Sequence, residues 1–228
     1  MIQLDFLAVL EQWPALLRGA GFTLALSAVL SAVAGVSLGI ACGWVRANGP
    51  RWASALAAGY IELIRNTPFI VQLFFVFFGL PSLGLKLSPK LASIIAMVRN
   101  LGVYAAEIVR AGIDGTPKGQ FEAARSLALT EVQVFIRVVL PPSLGRVWPA
   151  LVSQIVMVML GSAVCGQISA HELSYAANLI QSRNFRAFEA YIVVTALYLV
   201  LSITVRQLLN WLGPRYLFGR LPNAAAGR

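Results

Sequence analysis

Four polar residues with the means to bind a solute lie inside one apolar run of the sequence. Arg99, Asn100, Tyr104 and Glu107 fall within residues 90–112, "KLASIIAMVRNLGVYAAEIVRAG". Charged side chains are costly inside a membrane span, and they usually face a transport pathway or an ion-pair partner. The pattern therefore indicates either a solute pathway or gate, or structural pairing between helices. Glu107 could bind an ammonium group or pair with an arginine, and the sequence leaves both open.

A second group of charged residues forms the stretch "PKGQFEAARSLALT", residues 117–130. Thr116 and Pro117 read as a helix start, with a hydroxyl cap followed by proline at the first helical position. The charged side chains fall on one side and the small or apolar ones near another: Lys118, Glu122 and Arg125 against Phe121, Ala124 and Ala128. So short and mixed a helix cannot span a membrane. We expect it, over about residues 117–129, to lie at the membrane surface or to dock into a partner.

Other chemistry finds little support in the sequence. No glycine-rich phosphate loop ending in Gly-Lys-Ser/Thr is present, so the chain is not expected to hydrolyse ATP or to be an enzyme. Cys42, Cys165 and His171 lack neighbours at metal-ligand spacing, which predicts no metal site and small buried roles for the cysteines. The formal charge is +9, but no basic run interleaved with aromatics points to nucleic acid.

Composition places these residues in a membrane protein. Of the 228 residues, 58% are hydrophobic and only 12% are charged, and the apolar runs are too long for the core helices of a soluble protein. We predict one all-α transmembrane domain over residues 1–228 that contacts membrane lipid. The predicted spans cover about residues 21–45, 55–80, 90–112, 147–166 and 189–212.

Three further features organise the chain. Residues 1 to about 18 predict a short interfacial helix, with Leu4, Leu7, Leu10 and Trp13 at helical spacing. The second span is interrupted by a polar run that ends in Pro68, so its break must face protein or a water-filled cavity. Pro141 and Pro142 predict a turn before the fourth span, and a short amphipathic helix is expected near 171–181.

A stripe of small residues follows one face of the first span: Ala28, Ala32, Gly35, Gly39 and Gly43. Such stripes let two helix backbones approach closely. Packing within the subunit is the favoured use, and a dimer seam is the alternative.

The lysines and arginines indicate the orientation. Eleven fall in the loops after the first and third spans and in the C-terminal tail, whereas five fall on the opposite side. Basic residues collect in cytoplasmic loops. We therefore expect the 117–129 helix and the C-terminus in the cytoplasm and the N-terminus outside it.

Several motifs together resemble a known family. "EAARSLAL" followed by "IRVVLP" is similar to the EAA loop of permease subunits from bacterial ABC importers. "LIRNTPFIVQLFFVFFGLP", "YAAEIVRAGIDGTPKGQFEAARSLAL" and "LIQSRNFRAFEAYIVVTALYLVL" resemble the branch that imports polar amino acids. The likeness is collinear over about residues 20–212. It implies a type I ABC importer permease fold of about five spans in the cell inner membrane.

The resemblance also implies how the surface helix works. In the family the EAA loop is a coupling helix that sits in a cleft of the cytoplasmic ATPase and transmits its motion to the spans. This implies ATPase-coupling roles for six residues of the stretch: Gly119, Glu122, Ala123, Ala124, Arg125 and Ala128. The chain departs from the family pattern at Ala128, where glycine is usual.

Partners and solute-pathway residues are implied in the same way. The family works as two permease subunits with two ATP-binding subunits, which hold ATP-Mg, and an extracytoplasmic solute-binding protein, while the permease itself carries no cofactor. The resemblance implies seven pathway residues: Gln72, Arg99, Asn100, Tyr104, Glu107, Gly161 and Ser162. Arg99 and Gly161 are included as positions where this chain departs from the family pattern. The family often has Lys-Asp where this chain has Leu160 and Gly161. The solute is therefore not expected to be a basic amino acid, unless another permease subunit recognises it.

Some alternatives stay open at this level. The favoured function is ATP-driven import of a polar amino acid or a closely related solute such as an opine. An ion-coupled secondary transporter is the alternative, although a chain of about five spans without an internal repeat argues against it. Whether the permease pair contains two copies of this chain or two different chains is not determined.

Overall fold

The computed structural model describes residues 5–217, and within this range the chain is helical with no strand. Four helices are long and apolar enough to cross a membrane, and a bent helix pair supplies up to one more span in the same range. The helices that matter below are α1 (Trp13–Asn48), α2 (Arg51–Arg65), α3 (Phe69–Ser82), α4 (Pro89–Asp114), α5 (Lys118–Ser126), α6 (Glu131–Ile168), α7 (Leu173–Asn184) and α8 (Ala187–Tyr216). The predicted all-α membrane fold is confirmed.

The first span begins earlier than the sequence predicts. Instead of an interfacial helix and a separate span, a single turn at Leu7–Leu10 leads into one helix of 36 residues, α1. Leu4 of the predicted interfacial stripe lies outside the described residues. The early part of α1 stays helical because it packs on α7: a Cβ at Gly19 would lie 3.0 Å from Leu173 Cα. Gly19 is thus a point of close packing between α1 and α7.

The small-residue stripe packs within the subunit. Cβ atoms added to Gly35 and Gly39 would lie 2.9 Å and 2.5 Å from the Cβ atoms of Leu101 and Ala105 on α4. Since side-chain atoms do not approach so closely, any larger residue would push α1 away from α4. The stripe therefore sets the distance between these two helices, as the favoured interpretation predicts.

The second span is broken where the sequence predicts. Helices α2 and α3 meet at an angle of 107° around Asn66, Thr67 and Pro68. The amide of Gln72, which is buried, donates hydrogen bonds of 2.8 Å to the carbonyl oxygens of Ile64 and Thr67. Pro68 has no N–H for the Ile64 carbonyl, which accepts only a long bond of 3.3 Å from the Thr67 N–H, so Gln72 stabilises the bend by bonding the carbonyls at the break.

The turn predicted at Pro141 and Pro142 is wrong. Helix α6 runs through both prolines from Glu131 to Ile168. A wider, π-helical stretch at Val134–Val139 precedes them, so the prolines occupy the first positions of the regular α-helix that follows. Proline is tolerated there because those positions do not need an intrahelical N–H bond.

At the end of the bundle opposite α5, a buried carboxylate holds α7 in place. Glu172 is fully buried and caps α7 by accepting hydrogen bonds from the backbone N–H groups of Ser174 and Tyr175, at 2.8 and 2.7 Å. The hydroxyl of Ser174 and that of Tyr198 on α8 also donate to it, at 2.5 and 2.6 Å. We call these four residues the Glu172 cluster. The cluster ties α7 to α8 through hydrogen bonds, and none of its four residues forms an ion pair with another residue between 5 and 217.

Candidate functional site

The break in the second span opens onto a cavity of about 550 Å³, here called the central cavity. The end of α2, the break, one face of α4 and one face of α6 enclose it. Its lining residues are Arg65, Asn66, Thr67, Pro68, Phe69, Asn100, Tyr104, Gln154, Met157, Val158, Gly161 and Val164. The cavity has the size of a small-molecule site and combines apolar walls with a few polar groups.

The polar side of the central cavity comes from α4 and the end of α2. Asn100 and Tyr104 lie one turn apart on α4, so both side chains reach the same cavity. The guanidinium carbon of Arg65 lies 5.6 Å from the centre of the Tyr104 ring, within range of a cation–π contact. Arg65 is the one ionisable cation in the lining, and no carboxylate lines the cavity. The cavity thus favours a group with negative charge.

The opposite wall is formed by α6. Gln154, Met157 and Gly161 line it, and a Cβ added to Gly161 would meet no atom within 4 Å. The absence of a side chain at Gly161 therefore leaves free space in the cavity. The neighbouring Ser162 is fully buried, and its hydroxyl donates to the carbonyl oxygen of Met159 at 2.6 Å. Ser162 is used within the fold, whereas Gly161 faces the cavity.

Four of the predicted pathway residues are not in the lining of the central cavity: Gln72, Arg99, Glu107 and Ser162. Gln72 is directed at the backbone of the break, as described above. Arg99 precedes Asn100 on α4 and is therefore turned about 100° away from it around the helix, where its side chain is half-buried. The structure brings Asn100, Tyr104 and Gly161 together at one cavity and leaves the other four predicted pathway residues out of its lining.

Glu107 forms ion pairs with arginines. Its carboxylate pairs with Arg46 of α1 and, at 3.1 Å, with Arg110, which in turn pairs with Asp114 at 2.8 Å. We call these four residues the Glu107 ladder. A second cavity, of about 380 Å³, is lined by Arg46, Glu62 and Glu107 and shares Arg65, Asn66 and Tyr104 with the central cavity. The ladder therefore lies beside a polar groove that leads away from the central cavity.

The surface helix α5 begins one residue later than the sequence predicts. Pro117 occupies the cap position with extended backbone angles, and no side chain caps the helix, so the predicted Thr116 cap is wrong. The Thr116 hydroxyl instead lies 3.1 Å from the hydroxyl of Ser143 on α6 and accepts a hydrogen bond of 3.0 Å from Arg146. Arg146 also donates to the carbonyl oxygen of Gly115. These bonds fix the segment before α5 to α6.

One face of α5 packs on the bundle, and the other is exposed. Ala124 is buried and packs in the same apolar cluster as Phe121, Val134 and Phe135. The residues exposed on α5 include Gly119, Glu122, Ala123 and Arg125. A Cβ added to Gly119 would meet nothing within 4 Å. Of the six predicted coupling residues, Ala124 is therefore the one that is buried against the spans.

Arg125 connects α5 to the start of α6. Its guanidinium donates two hydrogen bonds to the carboxylate of Glu131, at 3.0 and 3.3 Å. These bonds and the negative charge of Glu131 raise the pKa of Arg125 above its ordinary value. Both side chains are exposed, so this pair contributes little stability. Its main effect is to hold the Arg125 side chain over the turn that follows α5.

That turn contains an unusual backbone conformation. Ala128 has a φ of 55°, in the left-handed region that residues with a Cβ avoid. Glycine reaches this region without steric cost, which explains why glycine suits the position. Ala128 therefore adopts this turn with local strain. It is exposed, and the neighbouring Leu127 exposes 75% of its surface.

Sequence reasoning missed several residues that line these surfaces. Arg65 and Asn66 entered it only as interruptions of a span, and Arg46 only as a loop charge. Gln154 gave the clearest unused signal, because an amide inside an apolar span usually faces a cavity. Leu127 was not singled out, although an apolar residue beside a surface helix is a natural contact for a partner.

The two cysteines are free thiols, with Cys165 buried and Cys42 half-buried. Groups of three or more histidine, cysteine, aspartate or glutamate residues that could hold a metal ion do not occur between residues 5 and 217.

Comparison with known proteins places these features in context. The family model of the binding-protein-dependent transport system inner membrane component matches residues 35–218. A probable glutamine ABC transporter permease of Bacillus subtilis is 35% identical over 83% of this chain and 88% of its own length. A nopaline transport system permease of Agrobacterium fabrum is 30% identical over 97% and 99%. The glutamine transport system permease of Escherichia coli K12 is 32% identical over 94% and 98%.

Solved structures give the same grouping. A chain from the crystal structure of an amino acid ABC transporter with histidines aligns with a TM-score of 0.83 at 33% identity, covering 94% of this chain and 100% of that one. A chain of a methionine ABC transporter in an inward-facing conformation aligns with a TM-score of 0.65 at 20% identity, covering 88% and 97%. The second likeness concerns the fold alone.

Proposed function

The chain belongs to the family of inner-membrane components of binding-protein-dependent transport systems, and from this premise we propose that it moves a polar amino acid or a related solute, such as an opine, in an ATP-driven importer. As a multi-pass permease subunit it is not itself an enzyme. The observation that carries the proposal is the central cavity, because it places Arg65, Asn100 and Tyr104 at a break in a membrane span.

The composition of the central cavity favours a particular class of solute. The guanidinium of Arg65 is suited to the α-carboxylate of an amino acid, since arginine can hold a carboxylate through two hydrogen bonds. Asn66, Asn100 and Gln154 add amide donors and acceptors for a neutral polar side chain. No carboxylate in the lining can offset a cationic side chain. We therefore infer a solute with a neutral or acidic side chain, in line with the glutamine permeases among its relatives.

The cavity is open, and its completion needs a second permease subunit. Arg65 and Asn66 are exposed at the break, and such groups cannot face lipid without a large cost. A second permease subunit, either a copy of this chain or a different one, would cover them. The solute would then reach the cavity from an extracytoplasmic solute-binding protein and leave along the groove that contains the Glu107 ladder.

The exposed face of α5 supplies the contact for a cytoplasmic ATP-binding subunit. Gly119 and Ala123 offer a closely approachable surface beside the charge of Glu122, and Leu127 adds an apolar contact. Ala124 and the bonds of Thr116 and Arg146 fix the helix to α4 and α6. Two ATP-binding subunits, which hold ATP-Mg, would therefore push on the spans through α5. In this arrangement α5 and the C-terminus are cytoplasmic and the N-terminus is extracytoplasmic.

The test is uptake into vesicles that contain the permease with its ATP-binding subunit and solute-binding protein. Uptake of glutamine or an opine should require ATP, and Glu122→Lys should lower it at least tenfold by weakening ATPase docking. Glu11→Lys, an exposed glutamate near the start of α1, serves as the matched control and should leave uptake unchanged. ATP-independent uptake driven by an ion gradient would instead support a secondary transporter.

A second variant tests the solute class. Gly161→Asp adds a carboxylate to the free space of the central cavity, and it should shift the preference toward solutes with a cationic side chain. Gly161→Asn has nearly the same size without the charge and is the matched control. If both variants transport the same solutes as the parent protein, the assignment of Gly161 to the solute site is wrong.

A further inference from the structure

A third cavity, of about 590 Å³, lies where α1 ends, α2 begins and α4 ends. Arg46, Arg51 and Arg110 line it together with one carboxylate, that of Asp114, and with small residues such as alanine. We call it the arginine cavity. Three cations against one anion give the lining an excess of positive charge, so the cavity attracts anions.

The arginines differ in how far they are already neutralised. Arg46 and Arg110 share the carboxylate of Glu107, and Arg110 also pairs with Asp114 at 2.8 Å. The exposed Arg51 makes no ion pair or side-chain hydrogen bond to any residue between 5 and 217. An anion that enters the cavity would therefore find its first full partner in Arg51, with Arg46 and Arg110 behind it.

An exposed apolar surface adjoins the arginine cavity. Trp52 and Leu56 lie one turn apart on α2 and expose 70% and 68% of their surfaces. They alternate along the helix with the cavity residues Arg51, Ser54 and Ala55. Tryptophan is typical of the boundary between headgroups and hydrocarbon in a membrane. The cavity thus combines an anion-binding end with an exposed apolar surface that could contact acyl chains. A free phosphate ion would use only the anion-binding end.

We propose that the arginine cavity binds the phosphodiester headgroup of an anionic phospholipid, whose acyl chains lie along Trp52 and Leu56. The count of basic residues places this end of the bundle at the cytoplasmic leaflet, where anionic lipids attract basic clusters. The phosphate would sit beside the Glu107 ladder and share its arginines. The proposal needs neither a particular solute nor an ATPase partner.

The test is thermal unfolding of the purified full chain in detergent, with titrated phosphatidylglycerol or with phosphatidylcholine of the same acyl chains. Phosphatidylglycerol should raise the unfolding temperature and phosphatidylcholine should not. Arg51→Gln should weaken the apparent affinity for phosphatidylglycerol about fivefold, the effect of one surface arginine. Arg51→Lys should lose less, because it keeps the charge. Arg137→Gln, at another exposed arginine outside the cavity, is the matched control and should titrate like the parent protein.

Each other outcome overturns the proposal. Equal effects of the two lipids would show that headgroup charge is not recognised. An unchanged titration of Arg51→Gln would place the lipid elsewhere. Protection by inorganic phosphate equal to that by phosphatidylglycerol, measured against sodium chloride of the same ionic strength, would identify a phosphate site rather than a lipid site. Because no transport is measured, failure here leaves the proposed import function untouched.

Discussion

Two carboxylates, one near each end of the helix bundle, are held by different kinds of polar contact. At the α7 end, Glu172 is fully buried and receives four hydrogen bonds from neutral donors. At the α5 end, Glu107 belongs to a chain of ion pairs whose side chains remain about one-fifth to three-fifths exposed. The buried cluster fixes one geometry, whereas the half-exposed ladder can exchange its partners for water.

The two carboxylates differ in whether water can replace their hydrogen-bond or ion-pair partners when a contact is lost. Breaking the Glu172 cluster leaves buried donors without acceptors, and such orphaned groups are expensive. Breaking one rung of the Glu107 ladder leaves charges that are partly exposed and line a polar groove, so water can reach them and the cost is smaller than at Glu172. The contrast suggests that the α7 end is the fixed part of the fold and that the α5 end is the part that rearranges during transport.

The largest expected effect comes from removing the buried carboxylate. Glu172→Ala removes the acceptor of four donors, of which only the Ser174 hydroxyl keeps another, the Ala163 carbonyl oxygen at 2.8 Å, and it should destabilise the protein by about 3 kcal/mol or more. Thermal unfolding of the detergent-solubilised protein measures this loss. Tyr198→Phe removes only one of the four bonds and should cost about half as much. The contrast between the two ends fails if Glu172→Ala unfolds at the same temperature as the parent protein.

An intermediate effect, of opposite sign, is expected at the turn after α5. Ala128→Gly relieves the left-handed strain at φ 55° and should stabilise the turn by about 1 kcal/mol. Amide hydrogen exchange of α5 should slow in this variant. Ala123→Gly, one turn earlier on the exposed face of the helix, is the control and should speed exchange, because glycine weakens a helix interior. Faster exchange in Ala128→Gly would show that the strain is not at this residue.

The smallest effect on stability is expected at the ladder itself. Glu107→Gln keeps a hydrogen-bond acceptor for Arg46 and Arg110 but removes the charge, and it should cost about 1 kcal/mol or less. Unfolding temperature and vesicle uptake are measured on the same preparation. We expect a nearly unchanged unfolding temperature with altered uptake. A stability loss as large as that of Glu172→Ala would remove the distinction between the two ends.

Local signals in the sequence were enough for the family and for much of the fold. The family inferred from the EAA stretch is confirmed by the match over residues 35–218 and by the relatives. The third span was predicted at 90–112 and lies at Pro89–Asp114. Its start was visible because Ser88 and Pro89, a typical helix cap and first helical residue, directly precede the apolar run. The break at Pro68 was equally visible, because proline disrupts a helix through its own chemistry.

Contacts between distant residues were not visible in the same way. Arg46 is 61 positions from Glu107, so its role as an ion-pair partner depends on how α1 packs against α4. Glu172 was read only as part of a polar segment, because the donor from Tyr198 comes from another helix. The prolines at 141 and 142 misled the prediction since a π-helical stretch before them changes their place in the helix. Local sequence rules are enough to locate where helices start and break, whereas the contact partners of a side chain depend on how the helices pack.

The free space at Gly161 has a consequence for the evolution of this protein. A single nucleotide change converts any glycine codon into one for aspartate or glutamate, and a Cβ at this position meets no neighbouring atom within 4 Å. No neighbouring residue would have to change first. A population grown on a cationic amino acid as its nitrogen source should therefore acquire substitutions at codon 161 early. A single point mutation would then be enough to extend the solute range of the transporter to cationic amino acids.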